Sequence, residues 1–271
     1  MPFRLNKQLG FTLIELLIAM ALSGIVIAAI YSLYLSQAKS YVIQDQVAEM
    51  QQNARVAMEM MIRDIRMAGF GAPKSNISSW IDWVTGVTID TNPKIVQGSG
   101  SAPDTIYIVG CFDSPLASLS TSALSGATSL SLQSATEASK FNTTSKKVIC
   151  VGGAENALIT AISGSTLTID TDPTSANNQG LTGDYGVGTS IYLVKAITYS
   201  IVSNTLKRNE NTGAGRQPLA ENIEDLQISQ SGDSINISLT ARTDKPDPDY
   251  TNNSGYRQRR LTSRVIMRNL Q

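Results

Sequence analysis

The sequence predicts an α+β protein, with one long N-terminal helix followed by a body built on antiparallel β-sheet. Three observations predict it. Residues 11–35 are apolar or small at nearly every position, with Glu15 the only charge. The run then passes, without a proline, into a stretch whose apolar residues recur every three or four positions. From about Ser75 that period gives way to short alternating runs separated by turn residues.

Composition narrows the function classes. Lys+Arg and Asp+Glu are both 22, so the formal net charge is zero and no whole-protein pull toward nucleic acid exists. Histidine is absent, which removes Ser-His-Asp and Cys-His catalysis, His-based zinc sites and histidine pH switching. Carboxylate or lysine chemistry stays open. No catalytic residue, metal or cofactor is expected, and nucleic acid is not expected as a partner.

The first element is the apolar run. As a helix, Phe11 to Leu35 would be roughly 37 Å long, against a bilayer core of roughly 30 Å. Arg4 and Lys7 precede it with no acid, so this end is expected to stay in the cytoplasm and the body to be exported. An ordinary secretory signal has a shorter apolar core and a small-x-small cleavage site after it, whereas Ala19-Met20-Ala21 lies inside the run. A plain signal anchor explains length and flank but not Glu15, because a carboxylate within a span costs a few kcal/mol and is by default functional.

A third reading accounts for more. Gly10 followed by Phe11-Thr12-Leu13-Ile14-Glu15 resembles the prepilin processing motif of type IV pilins and type II secretion pseudopilins. The resemblance implies cleavage after Gly10 by a membrane-embedded prepilin peptidase and N-methylation of the new terminus, Phe11. It also implies that Glu15 partners the new α-amino group of an adjacent subunit. Such a pair offsets part of the desolvation that each charge suffers alone in a low-dielectric surrounding. A carboxylate that simply stays protonated is the alternative for Glu15.

The helix is expected to continue to Ala68, on the order of 85 Å in all. Ile43, Val47, Met50, Ala54, Ala57, Met61, Ile65 and Ala68 trace one face, and Gln44, Gln51, Arg55, Glu59, Arg63 and Arg66 fall mainly on the other. Gly69, Gly71 and Pro73 give the stop. Asn53, Arg55, Arg63, Asp64, Arg66, Ala68, Gly69 and Phe70 resemble the helix end of the PilW family of minor pilins. The J-type minor pseudopilin of type II secretion has a similar helix. The charges of Arg63-Asp64-Ile65-Arg66 are expected to brace the helix end against the body.

The body shows strands at Thr105–Val109, Ser129–Gln133, Lys147–Val151, Ala157–Ile162, Thr166–Asp170, Ser190–Val194, Ile197–Val202, Leu226–Gln230, Ser234–Leu239 and Leu261–Met267. Hairpin turns are expected at Ser163-Gly164-Ser165, Ser203-Asn204 and Ser231-Gly232-Asp233. Residues 190–271 are expected to form the sheet that packs on the helix, and their late pattern also resembles the PilW family. Cys111 and Cys150 are expected to form a disulfide in an exported body, worth roughly 4 kcal/mol in the chain-entropy model. Two buried thiols are the alternative. Asp170, Asp172 and Asp184, and separately Asp244, Asp247 and Asp249, are better read as turn residues than as calcium ligands. Arg257, Arg259, Arg260, Arg264 and Arg268 are read as a polar strand face or subunit interface.

The domain organisation expected is a leader at 1–10, a transmembrane and assembly half-helix at 11–35, an amphipathic half-helix at 36–70, and an exported β-rich domain at 71–271 with an insert at 111–189. The resemblance implies a pilin-like fold and a minor type IV pilin that primes assembly or sits at the pilus tip. Its implied partners are prepilin peptidase, other minor and major pilins, the inner-membrane assembly platform and the membrane itself. A J-like minor pseudopilin, and a signal-anchored adhesin of another class, are the competing readings.

Overall fold

The computed structural model describes residues 11–74, 77–85 and 87–269. Arg4, Lys7 and Gly10 lie outside the described residues. The chain divides into two units, up to Ala48 and from Glu49. One helix, α1 (Leu13–Met67), belongs to both. In the first unit residues 11–42 are all exposed, and the helix is long and apolar enough there to cross a membrane.

In the second unit the expected stripe is buried: Met50, Ala54, Ala57, Met61, Ile65 and Ala68 are all covered, joined by Met58. Arg55, Glu59, Arg63 and Arg66 face solvent. The helical period therefore sorts this half of α1 into a core face and a wet face. The last turn tightens as the Ala68 N–H bonds to the Ile65 carbonyl. Past it, the Gly69 N–H donates to the Val109 carbonyl at 2.9 Å, and the Cys111 N–H donates to the Phe70 carbonyl at 2.8 Å.

Among the described residues the body holds three antiparallel sheets. The first has the order β1 (Lys94–Val96), β2 (Thr105–Gly110), β9 (Lys195–Val202), β10 (Thr205–Asn209), β11 (Arg216–Ala220). The second has the order β3 (Ala117–Ser118), β8 (Ser190–Leu193), β5 (Val148–Val151), β6 (Glu155–Ser163), β7 (Thr166–Asp170), β4 (Ser129–Ser131). The third is β12 (Ile223–Ser231), β13 (Ser234–Arg242), β14 (Gln258–Ile266).

Residues 190–271 thus contribute to all three sheets and do not form one. β8 closes in the second sheet, Val194 alone intervenes, and β9 opens in the first. The Val194 N–H donates to the Val148 carbonyl at 2.9 Å, which holds the crossing point. β9 then pairs with β2, setting Tyr199 opposite Ile106. The sequence expectation missed this because adjacent strand patterns say nothing about partners far away along the chain. Buried Asp104 ties the third sheet to the first: its carboxylate accepts from the Gly98 N–H at 2.8 Å and the Ile228 N–H at 2.7 Å.

All three expected hairpins are present. Ser203 and Asn204, between β9 and β10, both have positive φ, at 53° and 56°. That is the backbone a two-residue turn needs to match strand twist. Two short helices, α2 (Ile77–Thr85) and α3 (Ala135–Ala138), were not anticipated. α2 places Ile77, Trp80 and Ile81 in a core shared with Val109 and Ala196 of the first sheet and Val148 and Cys150 of the second. Its shortness hid it, because nine residues show barely two turns of period.

Candidate functional site

The site residues begin where α1 begins. Thr12 and Glu15 bond each other reciprocally. The Glu15 Oε2 accepts from the Thr12 N–H at 3.0 Å and from the Thr12 Oγ1 at 3.0 Å. The Glu15 N–H donates to the Thr12 Oγ1 at 3.3 Å. Thr12 is thus the N-cap and Glu15 the third helical residue of a capping box, in which two otherwise orphaned donors at the helix start are satisfied. Phe11 precedes it, 92% exposed. The T-x-x-E spacing was legible in Thr12-Leu13-Ile14-Glu15, but attention to the charge hid the cap. The cap gives the carboxylate a fixed place beside residue 11, where the positive end of the helix dipole favours a negative group.

The two cysteines come from different sheets. Cys111 follows β2 and Cys150 lies in β5. Both are buried free thiols. Gly71 explains how closely they gather. Its φ is +62°, and a Cβ there would lie 2.7 Å from the Cys111 Sγ and 3.2 Å from the Cys150 Sγ. Only glycine lets backbone sit so near both sulfurs. The Asn156 Nδ2 donates to the Gly71 carbonyl at 2.7 Å and holds that turn. A hydrogen bond between the thiols, followed by burial, pushes the Cys111 pKa far above its ordinary value. In this state Cys111 is a protonated, unreactive thiol.

The third cluster lies at the end of α1. Asp64 is 3% exposed. Its Oδ2 accepts from the Tyr199 hydroxyl at 2.6 Å and from the Arg208 Nε at 2.8 Å. The Arg208 guanidinium also reaches Glu210 at 2.6 Å, and Glu210 accepts from the Lys195 Nζ at 2.6 Å. Asp113 completes the chain on Lys195. Burial and the Asp64 carboxylate push the Tyr199 hydroxyl far above the usual phenol range. Burial acts to raise the Glu210 pKa, but the hydrogen bonds from Lys195 and Arg208 outweigh it, and the carboxyl is held below its ordinary value. The lattice braces the helix against β9 and β10, as expected for Arg63-Asp64-Ile65-Arg66. Asp64 makes the brace, while Arg63 and Arg66 are exposed.

The remaining candidates do not converge. Asp170 accepts from the Asp172 and Gln179 N–H groups and Asp172 from the Thr174 N–H, all within one loop after β7, whereas Asp184 accepts from the Ser125 N–H of a distant loop. Among the described residues no three His, Cys, Asp or Glu side chains group as a metal site. Asp247 takes the Arg257 guanidinium at 2.9 and 2.7 Å, closing the loop between β13 and β14. Arg259, Arg260 and Arg264 lie exposed on β14, and Arg268 is exposed just after it.

Residues 5–31 match the family model described as the prokaryotic N-terminal methylation motif. The match contains Gly10, Phe11, Thr12 and Glu15 and extends well into the apolar part of α1. No curated protein and no solved structure matches the chain. The matched methylation motif, an apolar helix long enough to span a membrane and an antiparallel β-rich body together give the chain a pilin-like α+β architecture.

Proposed function

We propose that the chain is a minor type IV pilin of the PilW kind. It is made as an inner-membrane precursor with its N-terminus in the cytoplasm and its body in the periplasm. Prepilin peptidase cuts it between Gly10 and Phe11 and methylates Phe11. It then joins other minor and major pilins through the assembly platform, priming the filament or standing at its tip. The domain plan is a leader at 1–10, a membrane and assembly half-helix at 11–35, an amphipathic half-helix at 36–70, and an exported domain at 71–271 with the insert at 111–189. The part played is structural, since the bond-breaking steps belong to the peptidase and the assembly ATPase.

The observation that carries the reading is Glu15, a carboxylate held at the start of an exposed apolar helix inside the matched methylation motif. After cleavage the new α-amine stands one residue from the Thr12–Glu15 cap. When the apolar helix leaves lipid for a bundle of equivalent helices, its burial is retained and only its neighbours change. An amine from an adjacent subunit then compensates the carboxylate. In the same reading Cys111 and Cys150 are joined in the exported protein, clamping the first and second sheets together.

Gly10→Ala and Glu15→Ala, expressed in the producing cell, test the proposal. Gly10→Ala is expected to leave an unprocessed precursor. Glu15→Ala is expected to be processed but absent from sheared filaments. Processing that survives Gly10→Ala, with piliation of the cell surviving both changes, makes the chain a signal-anchored adhesin instead. The helix-end residues shared with J-type pseudopilins support a second reading, and co-purification with a type II secretion complex instead of a pilus would select it.

A further inference from the structure

We propose that β14 is a docking edge for an extended acidic segment of a partner protein, which adds to the three-stranded sheet as a fourth strand. β14 pairs with β13 over its whole length, Gln258 against Arg242 through Ile266 against Ser234, without a bulge. β13 separates it from β12, so its other side is a sheet edge. The ladder shows which backbone groups face that edge. The Met267 N–H donates to the Asp233 carbonyl and the Thr243 N–H donates to the Arg257 carbonyl. In an antiparallel pair such bonded positions alternate. The odd-numbered residues therefore turn their N–H and C=O toward β13. Gln258, Arg260, Thr262, Arg264 and Ile266 turn theirs outward. All five are exposed, and among the described residues no backbone bond reaches them from that side.

Charge selects the occupant. Five arginines and no acid stand between residues 257 and 268 in a chain of zero net charge. Arg257 is held by Asp247, but Arg259, Arg260, Arg264 and Arg268 form no ion pair with a described acid. Arginine along an edge deters neutral strands from pairing there. A second copy docked edge to edge would set arginines against arginines, which is destabilising. A strand with Asp or Glu at alternate positions instead places carboxylates opposite Arg260 and Arg264 on one face. Backbone bonds then supply affinity, and the paired charges supply selection.

The test titrates the full-length protein in detergent micelles with a fluorescein-labelled synthetic peptide that alternates glutamate with threonine, read by anisotropy. Wild type is expected to bind it. Arg260→Gln with Arg264→Gln is expected to weaken binding at least tenfold. Thr262→Pro, which removes an outward N–H but no bond to β13, is expected to do the same, and Thr262→Ala is expected to leave it unchanged. A peptide of the same charge, N-methylated on its pairing-side amides, checks the backbone requirement without altering the protein and is expected not to bind. Absence of binding by wild type overturns the proposal. So does equal binding of the N-methylated peptide, which would make the arginines a general polyanion surface. Self-association that Thr262→Pro abolishes overturns it in favour of a second copy. None of these outcomes depends on leader cleavage, so this proposal and the filament reading fail separately.

Discussion

Asp64→Ala is expected to loosen the end of α1 from its sheet. The carboxylate is 3% exposed and holds both the Tyr199 hydroxyl and the Arg208 guanidinium. Its removal leaves Arg208, whose side chain is 19% exposed, with Glu210 as its remaining acid. Tyr199 is left buried without its acceptor. Deleting one member of a buried ion pair costs about 3–5 kcal/mol, because the other charge is stranded. Glu210 still compensates part of that charge, so the low end, about 3 kcal/mol, is expected. For a body of this size each kcal/mol moves Tm by about 2–4 °C, giving a fall of about 6–12 °C. Urea and thermal unfolding of the full-length protein in detergent measure it. Tyr199→Phe, which deletes one hydrogen bond and keeps the ion pair, is expected to cost only about 1 kcal/mol. Asp64→Leu combined with Arg208→Met is expected to cost less than the sum of the two single changes, since neither charge is then stranded. A loss under about 1 kcal/mol for Asp64→Ala, or strict additivity in the double variant, would refute the reasoning.

Three further outcomes follow from the same structure. Oxidation of Cys111 and Cys150 is expected to raise the unfolding free energy by about 4 kcal/mol, with Cys111→Ser showing no redox dependence; mass spectrometry finding two free thiols after oxidant treatment would sink this. Gly71→Ala is expected to destabilise the body, because its Cβ would come within 2.7 Å of the Cys111 sulfur at a φ of +62°; an unchanged Tm would contradict the close packing. Because Glu210 is held below its ordinary value of 4.5, its contribution is fully present above that pH and is lost as pH falls through the folded value. The stability gap between wild type and Glu210→Gln should therefore close below pH 4.5, as unfolding measured across acidic pH will show.

Much of the molecule was legible locally. The three-and-four spacing of Met50, Ala54, Ala57, Met61, Ile65 and Ala68 placed the core face of α1, and burial follows it. The bracing expected of the Arg63–Arg66 charges falls to Asp64, which the structure buries beside Ile65. The hairpin turn at Ser203-Asn204 was readable because turn chemistry is a property of adjacent residues. The capping box at Thr12 and Glu15 was equally readable and was missed, because a charge in an apolar run drew a functional explanation before a structural one.

The methylation motif is also local. Gly10, Phe11 and Glu15 stand within six positions of the matched methylation motif, so the motif is complete in a linear string. What only the tertiary structure decided is which distant groups meet. Nothing near Asp64 names Tyr199 and Arg208 as its partners. Nothing near Cys111 says that Cys150, from another sheet, shares its glycine. Nothing in β14 says that only one of its sides is paired. Periodicity and turn chemistry report on neighbours along the chain. Pairing across β2 and β9, and the edge left over on β14, depend on loop closure and on competition among many alternating segments of similar pattern.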